Sequence, residues 1–139
     1  MNIREILNLK VGGQWLVSPS AEETIFCREM FSEDHKDIEK MVLEFASDKI
    51  YPNLHKIEYL DESLSRSIMK EMGGLGLIGV DAPEKYGGTE LDKITACIVT
   101  EGVGSSGSSS FGCTFGVQTG IGSLGIVFFG TEEQKSKYL

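Results

Sequence analysis

An all-α fold is what this sequence predicts, on three observations. Apolar residues recur at helical spacing in several separate stretches, and each stretch is bounded by helix start and stop residues. No stretch alternates apolar and polar residues with the period of a strand. With 139 residues and 40% hydrophobic content, the chain is long enough to bury one core.

Residues 1–31 read as an N-terminal extension. Gly12-Gly13 breaks any early helix and Pro19 sits among serines, which leaves Trp15, Leu16 and Val17 as an apolar anchor. From Ser32 the pattern changes. Ser32 is a candidate N-cap, Glu33 and Asp34 bring negative charge to the first turn, and Ile38, Met41, Val42, Phe45, Ala46 and Ile50 share a face. Pro52 is expected to end this helix, because the residue before a proline is pushed out of the helical region. A second helix starts near Asp61, turns Leu64, Ile68 and Met72 inward, and is expected to stop at Gly73-Gly74. An irregular connection with Pro83 and Gly87-Gly88 comes next.

A third helix, from about Glu90 to Val103, is expected to bury Leu91, Ile94, Cys97 and Ile98. The run from Gly104 to Ser110 reads as a turn whose serines cap the next helix, since the residues beyond Ser110 are too apolar for a free tail. Residues 109–119 and 121–129 are expected to form two short buried helices, and Thr131 to cap a polar one from Glu132 to Leu139.

Between Gly102 and Thr131 there is no charged residue, and Gly112, Gly116 and Gly120 recur at every fourth position. A helix with that spacing admits another backbone, or the apolar tail of a ligand, close to its axis. The stretch from Phe111 to Phe129 is just long enough to span a bilayer, but its glycines, threonines and Gln118 dilute it and no basic cluster flanks it, so no membrane span is expected. The net charge of −8, with scattered Lys and Arg, argues against a nucleic-acid partner. Cys27, Cys97 and Cys113 are odd in number and lack metal-ligand spacing, so they read as buried free thiols in a reducing compartment. His35 and His55 lack partners at ligand spacing and read as surface histidines, and no metal site is expected. Asp61-Glu62 and Glu132-Glu133 are explained as first-turn carboxylates rather than an acid/base pair. The glycine-rich phrases lack phosphate-loop spacing, and no catalytic residue is legible.

Two phrases carry a resemblance: Gly79-Val80-Asp81-Ala82-Pro83-Glu84-Lys85-Tyr86-Gly87-Gly88, and Phe128-Phe129-Gly130-Thr131-Glu132-Glu133-Gln134-Lys135. With Phe31-Ser32-Glu33-Asp34-His35 and Gly74-Leu75-Gly76-Leu77-Ile78-Gly79, the chain from about Phe31 to Leu139 resembles the N-terminal helical domain of the acyl-CoA dehydrogenases. Gly12-Gly13-Gln14-Trp15-Leu16-Val17, followed by Phe26, is similar to the extended front of bacterial members related to the very-long-chain enzymes.

The resemblance implies a domain of orthogonal and up-down helices with irregular connections over residues 32–139. In the family, a glutamate takes the α-proton of a fatty acyl-CoA while FAD accepts the β-hydride, and an electron-transfer flavoprotein then receives the electrons. The middle β-domain with its T-E-P-x-x-G-S-D phrase, the C-terminal bundle and the catalytic glutamate have no match here. The chain by itself is therefore expected to be inactive and to bind no FAD.

Mapped through the Phe129–Lys135 phrase, the family's acyl-chain wall falls on Gly112, Cys113, Thr114, Gly116, Val117 and Ile121. Small residues at Gly112 and Gly116 imply a deep cavity for long chains. The resemblance further implies a homo-oligomer, cytoplasmic in a bacterium or in the mitochondrial matrix of a eukaryote. A different reading is a non-catalytic helical interaction module that kept the fold; a T-E-P phrase in the reading frame beyond Leu139 separates the two.

Overall fold

The computed structural model describes residues 26–139, so the expected anchor at Trp15, Leu16 and Val17 lies outside the described residues. The chain divides into a unit ending at Glu33 and a main unit from Asp34 to Leu139. In the first, a 3-10 turn at Arg28–Met30 is flanked by the stacked rings of Phe26 and Phe31, and the Arg28 guanidinium lies over the Phe31 ring.

The main unit is helical, with no strand among the described residues. Helix α1 spans Glu33–Phe45, and its run of apolar residues packs as the spacing predicts: Val42, Phe45, Ala46 and Ile50 are buried, with Ile38 and Met41 packed against them. Pro52 does not stop the chain's helical path. The backbone widens to a π-helical turn over Ala46–Ile50 and tightens to a 3-10 turn over Tyr51–Asn53, with Pro52 in its first turn, where a missing N–H costs nothing. The Asn53 amide donates to the Lys49 carbonyl at 2.9 Å, which supplies a donor near the one proline lacks. A short helix, α2, comes next over Leu54–Glu58.

Helix α3, Glu62–Gly74, begins where the Asp61 carboxylate accepts from the Leu64 N–H at 3.0 Å. It stops at Gly73-Gly74, as the sequence predicts, although neither of these glycines is the left-handed one. The left-handed residue is Gly76 (φ 76°), and the Leu77 N–H to Met72 carbonyl bond at 3.0 Å, with Gly76 N–H to Gly73, makes a Schellman ending. Both Met72 and Leu77 are buried, so the ending is also a core contact.

Residues 79–91 fold back on themselves. The Thr89 N–H bonds to the Gly79 carbonyl and the Leu91 N–H to the Val80 carbonyl, each at 2.9 Å. Gly88 is required there, since a Cβ would stand 2.0 Å from the Ala82 carbonyl oxygen. Leu91 thus belongs to the loop. Asp92 caps α4, Lys93–Gly104, which starts later than the apolar spacing suggests. The inward face is Thr95, Ile98, Val99, Gly102 and Val103, while Leu91 and Cys97 are exposed, contrary to expectation.

After the turn at Gly107, Ser108 caps the next helix by accepting from the Phe111 N–H at 3.1 Å. In place of the two buried helices expected from the sequence there is one continuous helical run, Ser109–Phe129. It comprises α5 (Ser109–Gly116), a π-helical turn (Val117–Gly122) and α6 (Ser123–Phe129). Phe111 and Phe115 enter the core, but no residue of the π turn or of α6 is fully buried. By length and composition this run is apolar enough to cross a membrane. The last helix, α7, Glu132–Tyr138, opens with a capping box: the Gln134 N–H donates to Thr131 Oγ1, and the Thr131 N–H to the Gln134 side chain.

Candidate functional site

The uncharged helix Ser109–Phe129 is the centre of the candidate site, and three polar contacts hold its surroundings in place. The Glu58 carboxylate, at the end of α2, accepts from Ser108 Oγ at 2.6 Å, Ser110 Oγ at 2.7 Å and the Ser110 N–H at 3.2 Å. Those bonds, the Ser108 one first, hold its carboxyl below the ordinary glutamate range. Across the domain, Glu132 in the first turn of α7 accepts from Tyr86 Oη at 2.5 Å and from Lys85 Nζ at 3.0 Å, which lowers its pKa in turn.

The third contact corrects the sequence reading of His35. Its side chain is only 12% exposed, and Nε2 lies 3.1 Å from the carboxylate of Asp92, the cap of α4. Burial alone would raise the pKa of Asp92, but the Thr95 N–H and hydroxyl together with His35 outweigh it and bring the net shift downward. His55 is a surface residue stacked on Tyr59. The cysteines are also corrected: Cys27, Cys97 and Cys113 are all free and all exposed.

Of the six residues mapped onto the acyl wall, Gly112 and Gly116 are half-buried, and Cys113, Thr114, Val117 and Ile121 are exposed. Among the described residues, a Cβ added at Gly112, Gly116 or Gly120 would meet nothing within 4 Å, so these glycines serve no close helix packing there. Thr114 borders a groove of about 590 Å³ with Met69 and Gln118. Val117, Ile121, Phe128 and Phe129 are exposed large apolar side chains on the same helical run.

Three residues absent from that mapping, Thr119, Gly120 and Leu124, instead border an apolar groove of about 460 Å³ against α4 and the 77–81 segment. Two of the polar side chains in its wall are neutralised locally. Thr119 Oγ1 donates to the Phe115 carbonyl at 2.9 Å and Thr100 Oγ1 to the Ala96 carbonyl at 2.8 Å, so both hydroxyls are satisfied within their own helices. Lys93 and Asp81, both among the groove's lining residues, form an ion pair. The spacing of Phe115, Thr119, Gly120 and Leu124 fits no single 3.6-residue face because the π turn inserts a residue, so periodicity could not find them. No group of His, Cys, Asp or Glu among the described residues is arranged to hold a metal ion.

Comparison with known proteins identifies the family and the fold. The family model for the acyl-CoA dehydrogenase N-terminal domain matches residues 32–139. A probable acyl-CoA dehydrogenase of Bacillus subtilis is 38% identical over 136 residues, covering 98% of this chain and 23% of that protein. Isovaleryl-CoA dehydrogenase of Solanum tuberosum is 34% identical over 79% of this chain and 27% of its own length. Among solved structures, an acyl-CoA dehydrogenase complexed with FAD from Bacillus anthracis superposes with a TM-score of 0.84 at 41% identity, over 92% of this chain and 22% of that one. A chain from a structure described as the electron transferring flavoprotein of Acidaminococcus fermentans matches at a TM-score of 0.64 and 32% identity, over 78% of this chain and 28% of its own. The chain thus spans about a quarter of the length of these relatives. With its helices, its capped uncharged run and its sequence all in agreement, the chain belongs to the acyl-CoA dehydrogenase family, and the part of that family it matches is the N-terminal domain.

Proposed function

We propose that this chain is the N-terminal helical domain of an FAD-dependent acyl-CoA dehydrogenase, in which the helix Ser109–Phe129 walls the acyl part of the substrate. The observation that carries this reading is the uncharged face of that helix, whose glycines point to open space rather than to a packed neighbour. In such an enzyme FAD supplies the hydride acceptor. FAD itself is held, in this proposal, by parts of the enzyme beyond this domain, where the family's flavin-binding phrase lies. This domain's contribution is instead an apolar surface that orients a hydrocarbon and excludes water from it. An electron-transfer flavoprotein is the proposed partner of the whole enzyme, supported by the family and by the neighbour of that description.

The finer proposal concerns chain length. Gly112 and Gly116 leave room beside the helix axis, which favours long acyl chains, although isovaleryl-CoA dehydrogenases are among the relatives. Gly116→Phe in the flavoenzyme containing this domain tests it. The ring has space to enter and should lower kcat/KM for long chains while sparing short ones, by ~1–3 kcal/mol for each methylene excluded. Equal loss at all lengths would remove Gly116 from the acyl wall, and an enzyme that oxidises no acyl thioester would end the reading altogether.

A further inference from the structure

Among the described residues, the fully buried anchors of the wall helix lie at one end. Its fully buried side chains, Phe111 and Phe115, both lie in its first two turns, while Val117, Ile121, Phe128 and Phe129 are exposed. The same end is held by Glu58. Both carboxylate oxygens are engaged: Oε1 accepts from Ser108 Oγ and the Ser110 N–H, and Oε2 from Ser110 Oγ. Ser108 is simultaneously the helix cap, so its hydroxyl receives the Phe111 N–H while donating its own proton to Glu58. One carboxylate therefore ties α2 to the first turn of the wall helix across about fifty residues of sequence, by bonds whose directions are fixed at both oxygens.

A helix fixed most firmly at one end amplifies small rotations at the other. At roughly 1.5 Å of rise per residue, Phe128 lies about 25 Å beyond Phe111, and a tilt of about 5° at the anchor moves it by about 2 Å. We infer that Glu58 is a positioning residue: its bidentate grip on Ser108 and Ser110 sets the direction of the wall helix, and so the width of the space its uncharged face leaves for an acyl chain. The acyl consequence rests on the function proposed above. The aim of the helix does not.

The test therefore has two arms. In the chain carrying Cys27→Ser and Cys113→Ser, the exposed Cys97 on α4 is paired with Phe128→Cys at the far end of the wall helix, and spin labels report the distance between them. Glu58→Gln, which keeps the size but gives up one acceptor oxygen, should shift or broaden that distance by about 2 Å, as should Ser108→Ala with Ser110→Ala. Ser110→Thr, which retains the hydroxyl, should restore the original distribution. Circular dichroism confirms that each variant is folded.

In the flavoenzyme containing this domain, Glu58→Gln should raise KM for long acyl thioesters severalfold while leaving kcat for short ones unchanged. An unchanged distance in both the Glu58 and the double serine variants would overturn the proposal, as would a shifted distance with no dependence of KM on chain length. A parent enzyme that dehydrogenates no acyl thioester would refute the proposed function instead, with the distance measurement still deciding the role of Glu58.

Discussion

Gly102 of α4 lies directly against Val42 of α1, and replacing it with alanine gives a prediction whose size comes from the contact. An added Cβ would stand 2.4 Å from Val42 Cγ1, 2.9 Å from Cγ2 and 3.2 Å from Cβ. Carbon atoms prefer separations near 3.5–4.0 Å, so the two helices would have to part by about 1 Å. Rotating Val42 does not relieve this: a valine is stiff about χ1, its Cβ is itself too near, and the residue is fully buried.

Overpacking of this kind costs about 1–3 kcal/mol, here toward the upper end, and the better helix propensity of alanine returns about 1 kcal/mol. Gly102→Ala should therefore destabilise by about 1–2 kcal/mol, read as a lower urea midpoint with an unchanged slope. Two companions make the reasoning exposed to failure. In a Val42→Ala background both Cγ contacts are gone and only the 3.2 Å contact with Cβ remains, so the double mutant should show a coupling of about 1–2 kcal/mol. Gly112→Ala, where a Cβ meets nothing within 4 Å, should instead stabilise by about 0.5–1 kcal/mol. Additivity of the Gly102 and Val42 changes, or a stabilising Gly102→Ala, would refute the close-approach argument.

Other outcomes can be checked with the same material. Because Asp92 has a lowered pKa in the folded chain, its contribution is present above the ordinary aspartate range and lost as pH falls through the folded value; Asp92→Asn should flatten the acid limb of the stability profile. A thiol reagent should label Cys27, Cys97 and Cys113 in the native chain without denaturant. Cys27 should lag a model thiol at neutral pH, because its hydrogen bond with Glu29 raises its pKa and reduces the thiolate fraction; equal rates would contradict that contact.

Sequence by itself determined what neighbouring residues decide among themselves. The caps at Ser108 and Thr131 are bonds between a side chain and an N–H three residues on, and the inward face of residues 38–50 is a matter of helical spacing, so both are legible without a fold. The uncharged run from Gly102 to Thr131 likewise marks by composition the stretch that contains the helix Ser109–Phe129.

Tertiary structure decided where backbone geometry and distant partners compete with local preference. Pro52 was absorbed by π and 3-10 turns rather than ending the helix, and Leu91 went to the loop because its N–H pairs with Val80. Between Val117 and Gly122 the extra residue of the π turn rotated Thr119, Gly120 and Leu124 onto a groove that no 3.6-residue pattern contains. His35 with Asp92, and Glu58 with Ser108 and Ser110, join residues at least fifty positions apart. Such pairs leave no trace in spacing, because what brings them together is the packing of the helices between them rather than any preference of the residues themselves.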